Sequence, residues 1–354
     1  MRAARYHAAR DIRIDDIAQP EITNPDDVLV EVSFCGICGT DLHEYTSGPI
    51  VTPVDPHPLT GATLPQVLGH EFSGVVREVG QAVTTVRPGD RVAVMPSIVC
   101  NRCYWCRRGM HNLCALFAST GLSAASGGLA SHTVLSEYQV AKLPDNLTDE
   151  VGALIEPSAV AAYALDRPGI VGGDTVLITG SGPVGVLSSL YAAALGAGTV
   201  IIAEPNPNRA AQARKLDVGP VLDPTDEGFA NAIAELTGGI GVDVTAECSG
   251  TEAGLATAFG ATRRAGSIVQ TGLHTKPATI DAMMLSERDL TLYGSWCFKI
   301  TDWPRIIALV SRGTFPVQEV ITSRIPLDKV VDQGFDALID PAADQLKVLV
   351  DLHK

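Results

Sequence analysis

Thr175-Val-Leu-Ile-Thr-Gly-Ser-Gly-Pro-Val-Gly185 decides the fold of the second half of this chain, and the residues as far as Glu204 complete the signal. Thr175 to Ala203 runs 29 residues without a charge, long enough to span a bilayer. Glycines 180, 182, 185, 196 and 198 and Pro183 divide it into a β-branched run, a turn, an Ala/Leu-rich helix and a second β-branched run. A buried strand–helix–strand unit explains that pattern better than a membrane span. Inside it Gly180-Ser-Gly-Pro-Val-Gly185 matches GxGxxG, Pro183 and Val184 open the helix, and Glu204 stands 19 residues beyond Gly185 at the end of the second strand. Gly180 permits the tight turn, Gly182 lets backbone approach a pyrophosphate, and Gly185 admits close helix packing, while the helix N-terminus offers unpaired N–H donors. Glu204 would accept from ribose hydroxyls and repel a 2′-phosphate, favouring NAD over NADP. Arg209 is the nearby group that would pull the other way, unless it is simply an exposed helix residue.

The same rhythm continues on both sides. After Glu150, strand and helix alternate: a helix from Pro207, a short strand near Val221, a helix over 226–236, Val242-Asp-Val-Thr-Ala246, a helix over 252–261 and Gly266-Ser-Ile-Val-Gln270. That is a doubly wound parallel sheet over about 151–299. Residues 1–150 instead show short alternating runs cut by Gly and Pro, such as Val28-Leu-Val-Glu-Val-Ser33, Gly74-Val-Val-Arg-Glu-Val79 and Asp90-Arg-Val-Ala-Val94, which predict a mostly β domain. The stretch Gly48 to Pro58 holds four prolines and is expected to be a surface loop near the site. The tail from about 300 to 354, ending in Val348-Leu-Val350, is expected to return and complete the first domain.

Composition bounds the function. At 354 residues the chain has room for two domains, given roughly 100–200 residues each. Apolar residues at 46% and charged residues at 19% fit a folded globular protein. Lys+Arg 26 against Asp+Glu 40 gives a net charge of −14, whose field repels nucleic acid and anionic lipid. The N-terminus, Met1-Arg-Ala-Ala-Arg-Tyr-His7, leads directly into charged Asp11–Asp16 without an apolar signal-peptide core, so the expected location is cytoplasmic. In a reducing compartment closely spaced cysteines are metal ligands more often than disulfides.

Six of the eight cysteines fall at positions 35, 38, 100, 103, 106 and 114. Cys100, Cys103, Cys106 and Cys114 in one short loop suit a closed tetrahedral zinc site, with no open position and hence a structural role. The second set is dispersed: Cys38, Thr40, Asp41 and His43 in one segment, His70-Glu71 in another, Glu156-Pro157 in a third. A catalytic zinc needs about three protein ligands and one exchangeable position, and Cys38, His70 and a glutamate supply thiolate, imidazole and carboxylate. Asp41 would hold a ligand in place. Cys35, Cys248 and Cys297 read as buried small apolar groups, and the remaining histidines lack partners at ligand spacing.

With Gly69-His-Glu-Phe-Ser-Gly74, the cysteine lobe, Glu156-Pro157 and the glycine turn agreeing in order and spacing, the sequence resembles the zinc-dependent medium-chain dehydrogenases of the alcohol and polyol dehydrogenase superfamily over essentially its whole length. Within it, His43-Glu-Tyr-Thr-Ser-Gly-Pro-Ile50, the proline-rich insert and Leu154-Ile-Glu-Pro-Ser-Ala159 resemble the (R,R)-2,3-butanediol dehydrogenases, with sorbitol-type polyol dehydrogenases next. The resemblance implies an α/β protein with a GroES-like, mostly β catalytic domain and a doubly wound Rossmann domain. It implies NAD and two zinc ions per chain, the catalytic one held by Cys38, His70 and either Glu71 or Glu156, with Gly272 near the cofactor. It implies a proton relay from the substrate hydroxyl through Thr40 and a cofactor ribose hydroxyl to His43, and a homo-oligomer, dimer or tetramer. The expected reaction is hydride transfer between NAD and a secondary alcohol or vicinal diol, 2,3-butanediol and acetoin being the best fit. A zinc-free binding or lens-type relative would lack the Cys/His/Glu set, and a zinc-dependent transcription regulator would want a basic face.

Overall fold

Strand Asp27–Gly36 is buried along almost its whole length, because it lies in the middle of a sheet with both faces covered. The computed structural model describes every residue except Pro341 and Ala343. Packing divides the chain into two units: Met1–Glu156 with Lys299–Ser311 and Ile321–Lys354, and Pro157–Phe298 with Arg312–Val320. The sequence reading placed the first boundary near 150 and took about 300–354 as one piece. Residues 312–320 instead pack with the second unit, where the Phe315 ring lies 5.3 Å from that of Tyr191.

In the first unit the main sheet runs, in spatial order, Val140–Lys142, Arg91–Val94, Glu71–Val79, Asp27–Gly36, Lys347–Asp351 and Ile321–Pro326, with His132–Ser136 also pairing to Asp27–Gly36. Val28, Val30, Val32, Phe72, Val348 and Val350 form the centre of its core. The C-terminal strand is antiparallel to Asp27–Gly36, Leu349 facing Gly36, while Gly36 on its other side faces Glu71. Three segments far apart in sequence therefore meet at Gly36. Helix α1, Gly39–Ser47, leaves from that point, and Asp41 Oδ2 accepts from the Cys38 N–H at 2.9 Å to cap it.

The second unit holds a parallel sheet ordered Val221–Leu222, Thr199–Ala203, Thr175–Thr179, Val242–Glu247, Thr262–Gln270 and Thr291–Gly294. The order reverses between Thr175–Thr179 and Val242–Glu247, the position at which such sheets bind ligands outside the strand ends. Gly180, at φ +88°, turns the chain there. A side chain at Gly185 would collide with the Gly180 carbonyl, so helix Pro183–Ala194 approaches the turn closely only with glycine. The helix expected over 226–236 spans Phe229–Thr237: Asp226 Oδ1 accepts from the Gly228 N–H and holds the preceding residues in a turn. No helix among the described residues is long and apolar enough to cross a membrane.

Candidate active site

The Cys38 sulfur and side-chain ligand atoms of His70 and Glu71 lie within 4.8 Å of one another. Cys38 is the N-cap of α1, and His70-Glu71 stands at the start of the neighbouring strand Glu71–Val79. His70 and Glu71 are buried and Cys38 is half-buried. Asp41, wholly buried, uses one oxygen to cap α1 and turns the other to His70 Nδ1 at 3.5 Å, which leaves Nε2 free for a metal. Burial opposes charging of His70, but Asp41 and Cys38 outweigh it and hold the imidazole well above its ordinary pKa. Thiolate, imidazole and carboxylate around one point are the donor set of zinc.

Glu156 sits in the first turn of helix Ile155–Asp166, buried, and outside the grouping of three ligand atoms. Burial pushes its carboxyl up to about 8, with His70 pulling it down and Glu71 pushing it further up. Thr40 Oγ1 lies 3.8 Å from the Cys38 sulfur. His43 follows one turn on along α1 and is half-buried, so the two share a helix face.

Sequence reasoning missed Lys347. Its ammonium donates to Glu71 Oε1 at 2.9 Å and Oε2 at 2.6 Å and to the Ile37 carbonyl at 3.1 Å, and both side chains of the pair are 1% exposed. Burial disfavours the ammonium, yet Glu71 and Cys38 raise its pKa above the usual lysine value. The available signal was a lysine opening an otherwise apolar terminal strand, Lys347-Val-Leu-Val350.

Cys100, Cys103, Cys106 and Cys114 also converge, their sulfurs within 4.8 Å of one another. The Cys100 N–H donates to Cys114 Sγ at 3.3 Å and the Cys106 N–H to Cys103 Sγ at 3.5 Å. Backbone donors from Ala115 and Cys106 pull the Cys103 thiol down to about 6, whereas burial and the neighbouring thiols push Cys106 up to about 12. Four crowded sulfurs ionise together only around a cation, so the set fits a structural zinc. Cys35 is wholly buried in the core and its thiol is pushed up by burial.

In the second unit Glu204 ends its strand, 4% exposed, and accepts from Ser181 N at 2.7 Å and Ser181 Oγ at 3.0 Å on one oxygen and from Asn206 N at 2.9 Å on the other. The carboxylate is thus locked onto the turn Gly180–Gly185, while Gly182 caps the helix that Pro183 and Val184 begin. Arg209 is exposed in the first turn of helix Pro207–Lys215. Glu247, unremarked in the sequence, is wholly buried and accepts from Ser249 N at 2.8 Å, Gly250 N at 3.0 Å and Gln270 Nε2 at 2.7 Å, with His274 Nε2 at 3.4 Å. Gly272 N donates to the Glu247 carbonyl at 2.8 Å. Beside this network lies a cleft of about 590 Å³ whose walls include Thr271, Gly272, Leu273, His274 and Trp296. Gln270 Oε1, Thr271 Oγ1 and Ser295 Oγ, all on that wall, are buried without a protein partner. A ligand with an amide edge would satisfy them, as a nicotinamide carboxamide would.

Residues 24–145 match the family model of the alcohol dehydrogenase GroES-like domain, and residues 183–312 that of the zinc-binding dehydrogenase. The chain belongs to the zinc-binding alcohol dehydrogenase family. This enzyme is 40% identical to the (R,R)-butanediol dehydrogenase of Bacillus subtilis (strain 168) over 353 residues, 99% of each chain. The solved structure of 2R,3R-butanediol dehydrogenase from Bacillus subtilis superposes on it with a TM-score of 0.92 at 38% identity, covering 99% of both. A zinc-binding dehydrogenase from Sinorhizobium meliloti 1021, solved bound to NADP, gives a TM-score of 0.88 at 32% identity, again over 99% of both. The expected α/β architecture and the expected enzyme class both hold.

Proposed function

We propose that the enzyme is an NAD-dependent secondary-alcohol dehydrogenase acting on a vicinal diol or its hydroxyketone, with 2,3-butanediol and acetoin as the pair it fits best. The observation that carries the chemistry is the convergence of Cys38, His70 and Glu71 beside the Thr40 hydroxyl. These residues would hold a zinc, which would supply Lewis acidity that lowers the pKa of a substrate hydroxyl. Thr40 Oγ would accept the hydroxyl proton as it passes its own through a cofactor ribose hydroxyl to His43, farther out on the same helix, and so to solvent, so no strong base is needed inside the site. Asp41 keeps His70 in one orientation throughout.

Glu71 belongs to the ligand group and is paired with Lys347, so Glu156 is the carboxyl we assign to a second substrate hydroxyl. Glu204, pinned to the glycine turn, presents negative charge where a 2′-phosphate would sit, and this supports NAD. The relative solved with NADP makes the cofactor comparison a direct test. A cytoplasmic homo-oligomer, dimer or tetramer, completes the reading, and native mass checks the assembly.

The deciding measurement is kcat/KM on the (R,R), (S,S) and meso 2,3-butanediols, 2-butanol and sorbitol under one set of conditions. A buried acceptor left unpaired costs about 1–3 kcal/mol, so 2-butanol is expected roughly ten- to a hundredfold below the preferred diol. Sorbitol as the best substrate would move the enzyme to the polyol branch. Equal values for 2-butanol and the diols would remove the second-hydroxyl contact.

A further inference from the structure

We propose that Glu247 is a positioning residue: it fixes the Gln270 side-chain amide with its oxygen turned to the cleft of the second unit, and this polarity makes the cleft select a ring bearing a primary carboxamide. The inference rests on the NAD reading of that cleft. Glu247, Gln270 and Gly294 stand side by side at the ends of three parallel strands, Glu247 facing Gln270 and Gln270 facing Gly294. Glu247 is wholly buried, and both of its oxygens are ringed by donors. Oε1 accepts from Ser249 N at 2.8 Å, from Gly250 N at 3.0 Å and from the Ser249 hydroxyl. Oε2 accepts from Gln270 Nε2 at 2.7 Å and from Gly250 N at 3.2 Å, with His274 Nε2 at 3.4 Å.

A second contact of the Gln270 amide fixes which way it points. Nε2 donates also to the Gly272 carbonyl at 2.8 Å, so a carboxylate and a carbonyl both face the same end of the side chain. Turning the amide over would set three oxygens against one another, whereas the observed orientation pairs both of its N–H groups. The neighbouring backbone is shaped to this arrangement. A Cβ at Gly272 would stand 2.2 Å from Gly250 N and 2.8 Å from Glu247 Oε2, so the strand end closes on the carboxylate only with glycine. The free end of the amide, Oε1, is buried without a protein partner, and Gln270 is part of the cleft wall. Thr271 and Ser295, the other unpaired groups of that wall, carry hydroxyls that rotate to donate or to accept. Of the three, Gln270 alone has a fixed polarity, that of an acceptor. It pairs with an N–H, while the hydroxyls can serve a carbonyl beside it. A primary carboxamide offers both on one carbon. A methyl ketone on the same ring keeps the carbonyl and loses the N–H, leaving the buried acceptor unpaired.

The test measures dissociation constants by calorimetry on the zinc-loaded enzyme for three ligands: NAD, 3-acetylpyridine adenine dinucleotide, in which a methyl ketone replaces the carboxamide, and ADP-ribose, which lacks the ring. Wild type is expected to bind the ketone analogue about tenfold more weakly than NAD, because the Gln270 oxygen then stays unpaired. Glu247→Gln keeps an oxygen for Ser249 and Gly250 but sets an NH2 group against Gln270 Nε2, so the Gln270 amide loses its fixed orientation. In that variant the preference for NAD over the ketone analogue is expected to shrink to about twofold or less, with ADP-ribose binding within about threefold of wild type. Gln270→Met removes the acceptor itself and should give the same loss of preference, and it stands in if Glu247→Gln does not fold. An unchanged preference in either folded variant would overturn the proposal, as would a wild type that binds NAD and the ketone analogue equally. Equal weakening of all three ligands in Glu247→Gln would also overturn it, because Glu247 would then serve the fold and not the choice of ring. A wild type that binds none of the three would instead sink the NAD reading of the cleft, an outcome distinct from a cleft that binds NAD without discriminating.

Discussion

Lys347 and Glu71, 276 residues apart in sequence, form a fully buried ion pair in which one ammonium bridges both carboxylate oxygens. Glu71 is thereby held at the edge of the metal-ligand group with its charge balanced. In the zinc-free enzyme, removing only the lysine leaves a buried carboxylate unpaired, which costs about 3–5 kcal/mol. Lys347→Met is expected to lower unfolding free energy by about that amount, and Lys347→Met/Glu71→Gln to recover at least half of it, since the charge is then gone. A double variant no more stable than the single one in chemical denaturation would show that the pair is not what holds this corner.

The two candidate metal sites are expected to have separable roles. Cys38→Ser is expected to cost one zinc and essentially all turnover while leaving the cysteine lobe folded. Cys103→Ser is expected to cost the other zinc and to lower the melting temperature or the assembled mass, because structural zinc contributes directly to folding. Metal content, calorimetry and native mass on the same samples check both. Wild-type melting and mass for Cys103→Ser with one zinc missing would count against a structural role.

Cofactor choice is expected to turn on Glu204. Glu204→Ala removes the charge that opposes a 2′-phosphate and also unties Ser181 and Asn206. NAD is expected to bind more weakly and the NAD/NADP ratio of kcat/KM to fall toward one. Equal efficiency with both cofactors in the unmutated enzyme would end this argument.

The proposed proton path requires an oxygen at position 40. Thr40→Ala is expected to reduce kcat far more than Thr40→Ser, and His43→Gln less than Thr40→Ala, because water replaces an outer relay member readily. An unchanged kcat and pH profile in Thr40→Ala would exclude the route.

Much of this was legible in sequence because the deciding signals are local. The turn Gly180–Gly185 announces itself through glycine spacing and the runs beside it, and Cys100, Cys103, Cys106 and Cys114 lie within one short loop whose closure needs no distant partner. The start of the helix Phe229–Thr237 was misplaced for an equally local reason, an Asp226 side chain satisfying the Gly228 N–H outside the helix. Glu247 was passed over because a buried carboxylate surrounded by backbone donors looks, in sequence, like any surface glutamate.

By itself the sequence determined the parallel-sheet unit, the cysteine lobe, the acidic character of the chain and the residue types of the metal site. Only the tertiary structure decided which glutamate stands with Cys38 and His70, and why. The C-terminal strand lies beside Asp27–Gly36, whose opposite neighbour begins with Glu71. That order brings Lys347 to Glu71, while Glu156 stays outside the grouping of three ligand atoms with its carboxyl pushed up to about 8 by burial. A periodic pattern or a ligand spacing records local backbone geometry. Which carboxylate stands with Cys38 and His70 depends on strand order, which carries Lys347 from the far end of the chain to Glu71.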